Sequence, residues 1–251
     1  MAKAIAISEE AGARYLHFGS RWIQGAMRVA RPYALELEYT RDMMMTLLLR
    51  AEPRWPQRVL LIGLGAGSLT KFLYRHRPQS LLTVVEIEPA VVTAASQFFK
   101  LPDESKRLTI EIGDGADYLA NRDRRFDLIL VDGFDAKGGA GTLDTRLFYC
   151  NCCARLSALG IFATNLLHRS RGVAPSVDRI SEAFAGRALA LPRCASGNTV
   201  ALAATGAPVD VLLADLRTAA NKLKRETGLN LLPKVASLVD THARSGGGFV
   251  L

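Results

Sequence analysis

The chain has 251 residues, of which 49% are hydrophobic, and its 32 basic and 24 acidic side chains give a formal net charge of +8. This length and composition exclude wholesale disorder and fit one α/β domain with a small appendage. No apolar run approaches the roughly 18 residues that a membrane span needs, so we expect no membrane partner. The basic residues are interleaved with acids rather than gathered beside aromatic residues, so we expect no nucleic-acid partner.

The N-terminal sequence and the cysteines predict a cytoplasmic protein without a metal centre. The first residues, MAKAIAISEEAGARY, lack the long apolar core of a secretory signal and carry Glu9 and Glu10. Three of the four cysteines cluster in FYCNCCARL, at the start of a predicted helix. Their spacing does not match the paired ligands of a zinc site, so we expect small thiols in a reducing compartment.

Short, partly alternating apolar segments predict a small β-hairpin or three-stranded patch over residues 15–18, 22–29 and 34–39. The residues before them are expected to form a loose lead-in. Helical spacing then predicts one helix over residues 39–50, and Pro53 and Pro56 mark a connector. We therefore divide the chain into an N-terminal β-hairpin region with its linking helix, residues 1–52, and a main domain, residues 53–251.

From residue 58 onward, strand and helix patterns alternate. The predicted strands are residues 59–62, 81–86, 108–112, 126–131 and 160–166. The predicted helices are residues 68–77, 89–99, 115–120, 145–156 and 173–185. Such alternation predicts a doubly wound, mostly parallel sheet with helices on both faces. Two closing strands, 188–192 and 199–204, precede a predicted helix over 209–226, and the glycines at 246–248 predict a mobile tail.

The stretch RVLLIGLGAGSL, residues 58–69, joins the first of these strands to the first helix. Its aliphatic run predicts a buried parallel strand, and Gly63, Gly65 and Gly67 predict a tight turn on which a ligand can lie. The free N–H groups of the following helix would point at that ligand. Since the stretch contains no GKS or GKT sequence, it is not an ATP-type loop. Taken alone, it suits a dinucleotide or another nucleoside ligand.

Carboxylates follow the next three strands where each one ends: Glu86, Asp114, Asp132 and, three residues on, Asp135. In an open α/β sheet these ends meet at one cleft, where the ligand binds. Glu86 follows Gly63 by 23 residues, close to the spacing of about 20 at which an acid binds ribose hydroxyls. Structural alternatives stay open, because Asp114 is placed to cap a helix and Asp135 to lie in a solvated turn.

In this order and spacing the chain resembles the spermidine synthase family of aminopropyltransferases, over residues 14–204. The resemblance rests on VLLIGLGAGSLTKFL, LTVVEIEPAVV, LTIEIGDGADYL and FDLILVDGFDA, followed by LFYCNCCARLSALGIFATNL. It implies the class I S-adenosylmethionine-dependent methyltransferase fold, a Rossmann-like α/β sheet that is doubly wound and mostly parallel, after a small β-hairpin region. Residues 53–251 would then form the nucleoside-binding catalytic domain, and the protein would be a homodimer.

The same resemblance implies a role for each acid. Glu86 would bind the ribose hydroxyls and Asp114 the adenine amine. Asp132 would be the general base that takes a proton from the attacking amine, and Asp135 would hold the far amine of a diamine. The co-substrate would be S-adenosylmethionine or its decarboxylated form, with no metal. The implied nucleoside-binding residues are Gln24, Gly63, Gly65, Ala66, Gly67, Glu86, Ile87, Asp114, Gly115, Ala116 and Asp132, and the implied catalytic residues are Asp132 and Asp135.

Three motifs depart from the family's sequence. Its GGGDGG loop has an aspartate where this chain has Ala66, its Tyr-His-Glu triplet corresponds here to Tyr39-Thr40-Arg41, and the proline after the second aspartate of its D-x-x-D loop is Ala136. Arg41 places a positive charge where a polyamine needs a negative groove. The loss of the glycine-loop aspartate removes a negative charge from where the carboxylate of the ordinary cofactor would sit. We therefore expect ordinary S-adenosylmethionine or methylthioadenosine to bind at least as well as the decarboxylated form.

The resulting prediction is a spermidine-synthase-like transferase that moves an aminopropyl group from an S-adenosylmethionine-type nucleoside to a small-molecule amine. Two alternatives stay open. One is an S-adenosylmethionine-dependent small-molecule methyltransferase, which Ala66 favours. The other is a nucleoside-binding homologue that has lost catalysis, which Arg41 and the basic net charge favour.

Overall fold

A computed structural model of the chain describes residues 5–19, 23–134, 139–167, 172–242 and 248–251. The N-terminal part of the protein is an antiparallel sheet of three strands in the order β1-β2-β3. Its strands are β1 (Ile5–Glu10), β2 (Ala13–Phe18) and β3 (Ile23–Arg28). The predicted three-stranded patch therefore exists, but with different members.

Two predicted boundaries in this region are wrong. The expected lead-in contains β1, whose residues Ile5 and Ile7 pack against the main hydrophobic cluster. The third predicted strand, residues 34–39, pairs with no other strand in the described part of the chain and runs into α1 (Glu38–Met43). A turn that contains Pro32, closed by a hydrogen bond from Ala34 N to Arg31 O, redirects the chain before that segment.

The helix predicted over residues 39–50 is split. Helix α1 ends at Met43 and continues as a 3₁₀ turn over Met44–Leu48, every residue of which is buried. The Thr46 hydroxyl donates to Met43 O at 2.8 Å, a local bond that competes with regular helical hydrogen bonding. The tighter turn lets this apolar run enter the core on all sides.

The main sheet has seven strands in the order β6-β5-β4-β7-β8-β10-β9. Only β10 runs antiparallel to its neighbours, so the predicted doubly wound, mostly parallel sheet is confirmed. The strands are β4 (Arg58–Ile62), β5 (Leu81–Glu86), β6 (Leu108–Ile112), β7 (Phe126–Val131), β8 (Leu156–Leu167), β9 (Ala188–Ala190) and β10 (Asn198–Ala204).

Helices cover both faces of this sheet. They are α2 (Ser68–His76), α3 (Pro89–Phe98), α4 (Gly115–Asn121), α5 (Arg146–Ala154) and α6 (Ala174–Ala183). Alternate residues of β4 face opposite sides: Val59 and Leu61 join a cluster with residues of α2 and α3, whereas Leu60 and Ile62 join one with residues of α4, α5 and α6. This two-faced burial explains why the β4 sequence is apolar throughout.

The C-terminal part adds α7 (Leu213–Thr227), α8 (Leu232–His242) and a two-stranded sheet of β11 (Asp210–Leu212) and β12 (Gly248–Val250). The helix predicted from residue 209 begins at Leu213, because β11 pairs with β12. Gly248, predicted in a mobile tail, is thus a strand residue, while Gly246 and Gly247 lie outside the described residues. No helix in the described ranges has the length and apolarity to cross a membrane.

The strand order places a cleft at the carboxyl ends of β4 and β7. From β4 the chain builds outward through β5 and β6, and then returns to add β7 on the other side of β4. Ligands of such sheets bind where the order reverses. The division of the chain at residues 1–52 and 53–251 stays a prediction.

Helix α2 carries one buried lysine with a single hydrogen-bond partner among the described residues. Lys71 is 1% exposed, and its ammonium donates to Phe99 O at 2.6 Å. Burial lowers the pKa of Lys71 to about 7. In the unfolded chain its pKa is about 10.4, so between these values the unfolded state holds a proton that the folded state lacks.

We predict that this lysine makes the free energy of unfolding rise with pH, by up to about 1.4 kcal/mol per pH unit between about pH 7 and pH 10. Lys71→Met should remove that rise, since methionine does not titrate, and should be more stable than the wild type near pH 7. Urea unfolding at several pH values measures it. Lys222→Met, at an exposed position of α7, is the control; an unchanged pH slope in Lys71→Met would contradict the prediction.

Candidate active site

The glycine turn brings the end of β4 against the end of β7. Gly63 has a φ of +91°, and a Cβ there would lie 2.2 Å from the carbonyl oxygen of Asp132. Gly63 N donates to Val85 O at 2.9 Å, and Asp132 N donates to Ile62 O at 2.8 Å. The close approach therefore requires glycine, and it fixes the loop beside the Asp132 backbone.

Glu86 ends β5 inside the cleft and is 7% exposed. Its Oε2 accepts from Leu64 N at 2.8 Å, and its Oε1 accepts from Glu88 N at 3.0 Å. Each carboxylate oxygen has room for a second donor. Glu86 thus anchors the glycine turn and still presents acceptors to a ligand with paired hydroxyls.

Asp114 caps the N-terminus of α4, which is one of the two roles that the sequence left open for it. Its Oδ1 accepts from Ala116 N at 2.7 Å and from Asp117 N at 3.2 Å. Its Oδ2 has no hydrogen-bond partner among the described residues and is free to accept from a ligand. Next to it, Gly115 packs closely on β4, since a Cβ there would lie 2.3 Å from Ile62 Cγ2.

One cleft brings most of the predicted nucleoside-binding residues together. It is lined by Gln24, Gly63, Gly65, Glu86, Ile87, Asp114, Gly115 and Asp132. Three predicted members do not line it: Ala66 borders an adjoining small cavity, Gly67 is the N-cap of α2, and Ala116 contributes only its backbone N–H to Asp114. Ile87 is 60% exposed, which leaves an apolar surface in the cleft for a flat ring.

The opposite wall of the cleft was missed from the sequence. It consists of Phe134 and residues 139–143, which follow β7 and include the start of the 3₁₀ turn Gly141–Asp144. This segment has glycines and no repeated pattern, so only the fold shows that it returns to the cleft. The predicted catalytic residue Asp135 lies outside the described residues.

Asp132 is held by two hydrogen bonds. Tyr39 OH donates to its Oδ2 at 3.0 Å, and Asn165 Nδ2 donates to its Oδ1 at 2.9 Å. Burial raises the pKa of Asp132, the bonds from Asn165 and Tyr39 lower it, and the nearby charge of Glu86 raises it again. With burial as the largest cause, Asp132 has a pKa above the usual range, and it is a stronger proton acceptor than an exposed aspartate.

A second pocket, of about 420 Å³, meets the cleft at Asp132. Its polar residues include Glu38, Tyr39, Asn165 and Asn198. Its apolar residues are Ile23, Leu37, Phe134 and Leu167. The cleft and this pocket share Gln24, Asp132 and Phe134, so ligands bound in both would face one another across the Asp132 carboxylate.

The structure corrects the expected effect of Arg41. Arg41 lines a neighbouring groove with Arg31 and Glu36. This groove shares Glu38 with the second pocket, but Arg41 itself is absent from the described lining of that pocket. Residues two apart on a helix point to nearly opposite sides, so the side chains of Tyr39 and Arg41 diverge. The positive charge predicted for the polyamine side is therefore not in this pocket, which instead holds the carboxylate of Glu38.

Glu38 also belongs to a charged cluster with Asp42, Cys194 and Lys234. The first three offer possible metal ligands within 4.8 Å of one another. However, Lys234 Nζ lies 2.7 Å from Asp42 Oδ2 and 3.9 Å from Glu38 Oε1. Cys194 Sγ donates to Asp42 at 3.1 Å, and burial raises its pKa to about 12, so it stays a thiol. The Lys234 ammonium therefore forms ion pairs with two carboxylates, and it lies closer to that of Asp42 than to that of Glu38.

Two crystal structures have a similar fold. A crystal structure titled as human Methyltransferase-like protein 13 in complex with SAH has a TM-score of 0.66 at 24% identity, over 77% of this chain and 93% of that one. A spermidine synthase in complex with the transition state analogue AdoDATO has a TM-score of 0.66 at 22% identity, over 94% of this chain and 84% of that one. At these identities, the likeness shows the fold alone.

Sequence similarity identifies the family. Residues 36–168 match the Spermine/spermidine synthase domain. The polyamine aminopropyltransferase of Chromobacterium violaceum is 34% identical over 247 residues, which are 98% of this chain and 94% of that protein. The chain therefore belongs to the spermine/spermidine synthase family, a family of transferases, and the predicted resemblance is confirmed.

Proposed function

We propose that this protein transfers the aminopropyl group of decarboxylated S-adenosylmethionine to a small amine. The observation that carries the proposal is the meeting of the nucleoside cleft and the second pocket at Asp132. A group transfer needs its donor and acceptor to face one another beside a proton acceptor. The full-length similarity to a polyamine aminopropyltransferase supports the same reaction.

The nucleoside would lie across the glycine turn. Glu86 would accept from the ribose hydroxyls, because its two oxygens are fixed by backbone N–H groups and keep acceptor capacity. The free Oδ2 of Asp114 would accept from the adenine amine. Ile87 would pack on the ring from one side and Leu143 would lie on the opposite wall. The spermidine synthase of similar fold is in complex with a transition state analogue, AdoDATO, which supports a ligand of this class.

The amine acceptor would occupy the second pocket, beside Asp132. An ammonium cannot attack until it loses a proton, and the Asp132 carboxylate would take that proton. The freed nitrogen then attacks the aminopropyl carbon next to the sulfonium. The carbon–nitrogen bond forms as the carbon–sulfur bond breaks, and the bonding electrons leave with sulfur in methylthioadenosine. Asp135 stays the proposed partner of the acceptor's far amine.

The comparisons do not favour the two alternatives. A relative that covers 98% of the chain is a polyamine aminopropyltransferase, whereas the methyltransferase structure shows the fold alone. Arg41, which favoured an inactive homologue, lies outside the second pocket. Ala66 stays a real departure, since it is buried against Gly25 and carries no charge. The expected binding of ordinary S-adenosylmethionine therefore remains a prediction of this proposal.

In this proposal the partner is a small molecule, rather than a nucleic acid or a membrane. The interleaved charges and the pocket of about 420 Å³ beside Asp132 support that choice. The cytoplasmic location and the homodimer follow from the family resemblance and from the sequence, and both remain proposals.

Product analysis tests the function. With decarboxylated S-adenosylmethionine and a four-carbon diamine, we predict methylthioadenosine and aminopropylated diamine in equal amounts. With ordinary S-adenosylmethionine, we predict binding without methyl transfer. Chromatography with mass spectrometry measures both. S-adenosylhomocysteine as the product would instead indicate a methyltransferase, and nucleoside binding without any product would indicate an inactive homologue; either result would contradict the proposal.

Glu38→Gln tests the charge of the second pocket. Removing this carboxylate should lower kcat/KM for a four-carbon diamine by about tenfold or more, the usual effect of losing a hydrogen bond to a charged group. For butylamine, a monoamine without a second ammonium, kcat/KM should change by less than about twofold. Steady-state kinetics with both amines measures the difference.

Glu36→Gln is the matched control, because Glu36 pairs with Arg28 and lines the neighbouring groove but is not in the described lining of the second pocket. This substitution should leave kcat/KM unchanged for both amines. Equal losses for the diamine and the monoamine in Glu38→Gln would contradict a role for Glu38 in binding the second ammonium.

A further inference from the structure

A chain of three side chains extends from Asp132 across the sheet. Asn165 Nδ2 donates to Asp132 Oδ1 at 2.9 Å, and Asn198 Nδ2 donates to Asn165 Oδ1 at 2.9 Å. Ser196 Oγ then hydrogen-bonds Asn198 Oδ1 at 2.7 Å. Asn165 and Asn198 are only 4% and 7% exposed, so water does not readily replace these partners.

The hydrogen bond from Asn198 to Asn165 helps to fix which end of the Asn165 amide faces Asp132. An amide presents an NH₂ donor on one side and an oxygen acceptor on the other, and the two can exchange by a flip of the side chain. A flip of Asn165 would place its oxygen against the Asp132 carboxylate and its NH₂ against the NH₂ of Asn198. Both contacts are repulsive, so the donor from Asn198 reinforces the orientation that the Asp132 carboxylate favours.

This orientation matters because few other groups support the Asp132 charge. From α1, Tyr39 donates to the other carboxylate oxygen, and Glu38 lines the same pocket with a negative charge. From β5, the negative charge of Glu86 disfavours ionised Asp132. The Asn165 donor is therefore one of two described hydrogen bonds that oppose burial and two nearby acids.

We propose that Asn198 is a positioning residue for the reaction: by fixing the Asn165 amide, it keeps a donor on Asp132 and holds this carboxylate ionised and oriented for proton transfer. The inference rests on the proposed function, in which Asp132 receives the proton of the amine. In this role Asn198 touches neither the proton nor the nucleoside, and it acts on Asp132 through Asn165. Because Asn198 also lines the second pocket, kcat at saturating amine is the readout that separates this role from acceptor binding.

Two substitutions at Asn198 separate the effect of the Asn165 amide orientation from the effect of an added charge. Asn198→Asp keeps the shape but replaces the donor with an acceptor, which should flip Asn165. Asn198→Leu removes the donor without adding charge. In both, we expect the acid limb of the kcat–pH profile to move to higher pH, by about one unit in Asn198→Asp and about half a unit in Asn198→Leu. Turnover should fall most at low pH and recover toward high pH.

The same substitutions at Asn121, an exposed residue whose amide donates to Asp117 O, are the controls and should leave the profile unchanged. The affinity of methylthioadenosine should stay within about threefold of the wild type in every variant. A loss of activity that is equal at all pH values, in a folded variant, would mean a merely structural role and would overturn the inference.

A measurement without turnover keeps the inference distinct from the proposed function. The Asp132 carboxyl titration, followed by NMR with labelled aspartate and assigned with Asp132→Asn, should shift upward in the Asn198 variants. An unshifted titration in a folded variant would overturn the inference, even if amine transfer is confirmed. A shifted titration in a protein that transfers nothing would support the orientation and reject the proposed function. If Asn198→Leu does not fold, the isosteric Asn198→Asp decides the outcome.

Discussion

The close approach of Gly63 to the Asp132 backbone is the constraint on which the site depends. It joins the glycine turn after β4 to the end of β7, the two strands between which the order of the sheet reverses. Asp132 N donates to Ile62 O, so the backbone hydrogen bonding between β4 and β7 continues one residue beyond β7 at this contact. Because no side chain fits at Gly63, a nucleoside on the turn lies next to the carboxylate that faces the acceptor pocket.

Those parts of the site that follow from strand ends were predictable from the sequence. Glu86, Asp114 and Asp132 each close a strand of a parallel sheet, and parallel strands deliver their carboxyl ends to one edge. The partners of Asp132 were not predictable in this way. Tyr39 and Asn165 lie 93 and 33 residues from it in sequence, and local patterns carry no signal of such contacts. A lone amide in the apolar run of β8 was the only hint.

Errors in the prediction also have physical causes. Arg41 was assigned to the polyamine side from its position in a triplet, whereas the turn of α1 carries it to another groove. Strands β1 and β12 were missed, because each gains its stability from a pairing partner rather than from its own apolar pattern. The net charge of +8 also misled, since the local pocket contains the carboxylates of Glu38 and Asp132. Local charge, and not the total, decides what a pocket binds.

Asp132→Asn tests the central claim most directly, namely that one carboxylate joins a nucleoside site to an amine site. The substitution keeps the shape of the side chain and removes its ability to take a proton. We predict that kcat falls by a factor of about 10³ or more. The affinity for methylthioadenosine, measured by calorimetry, should stay within about threefold of the wild-type value. Turnover close to that of the wild type would contradict the account, because the amine would then lose its proton elsewhere.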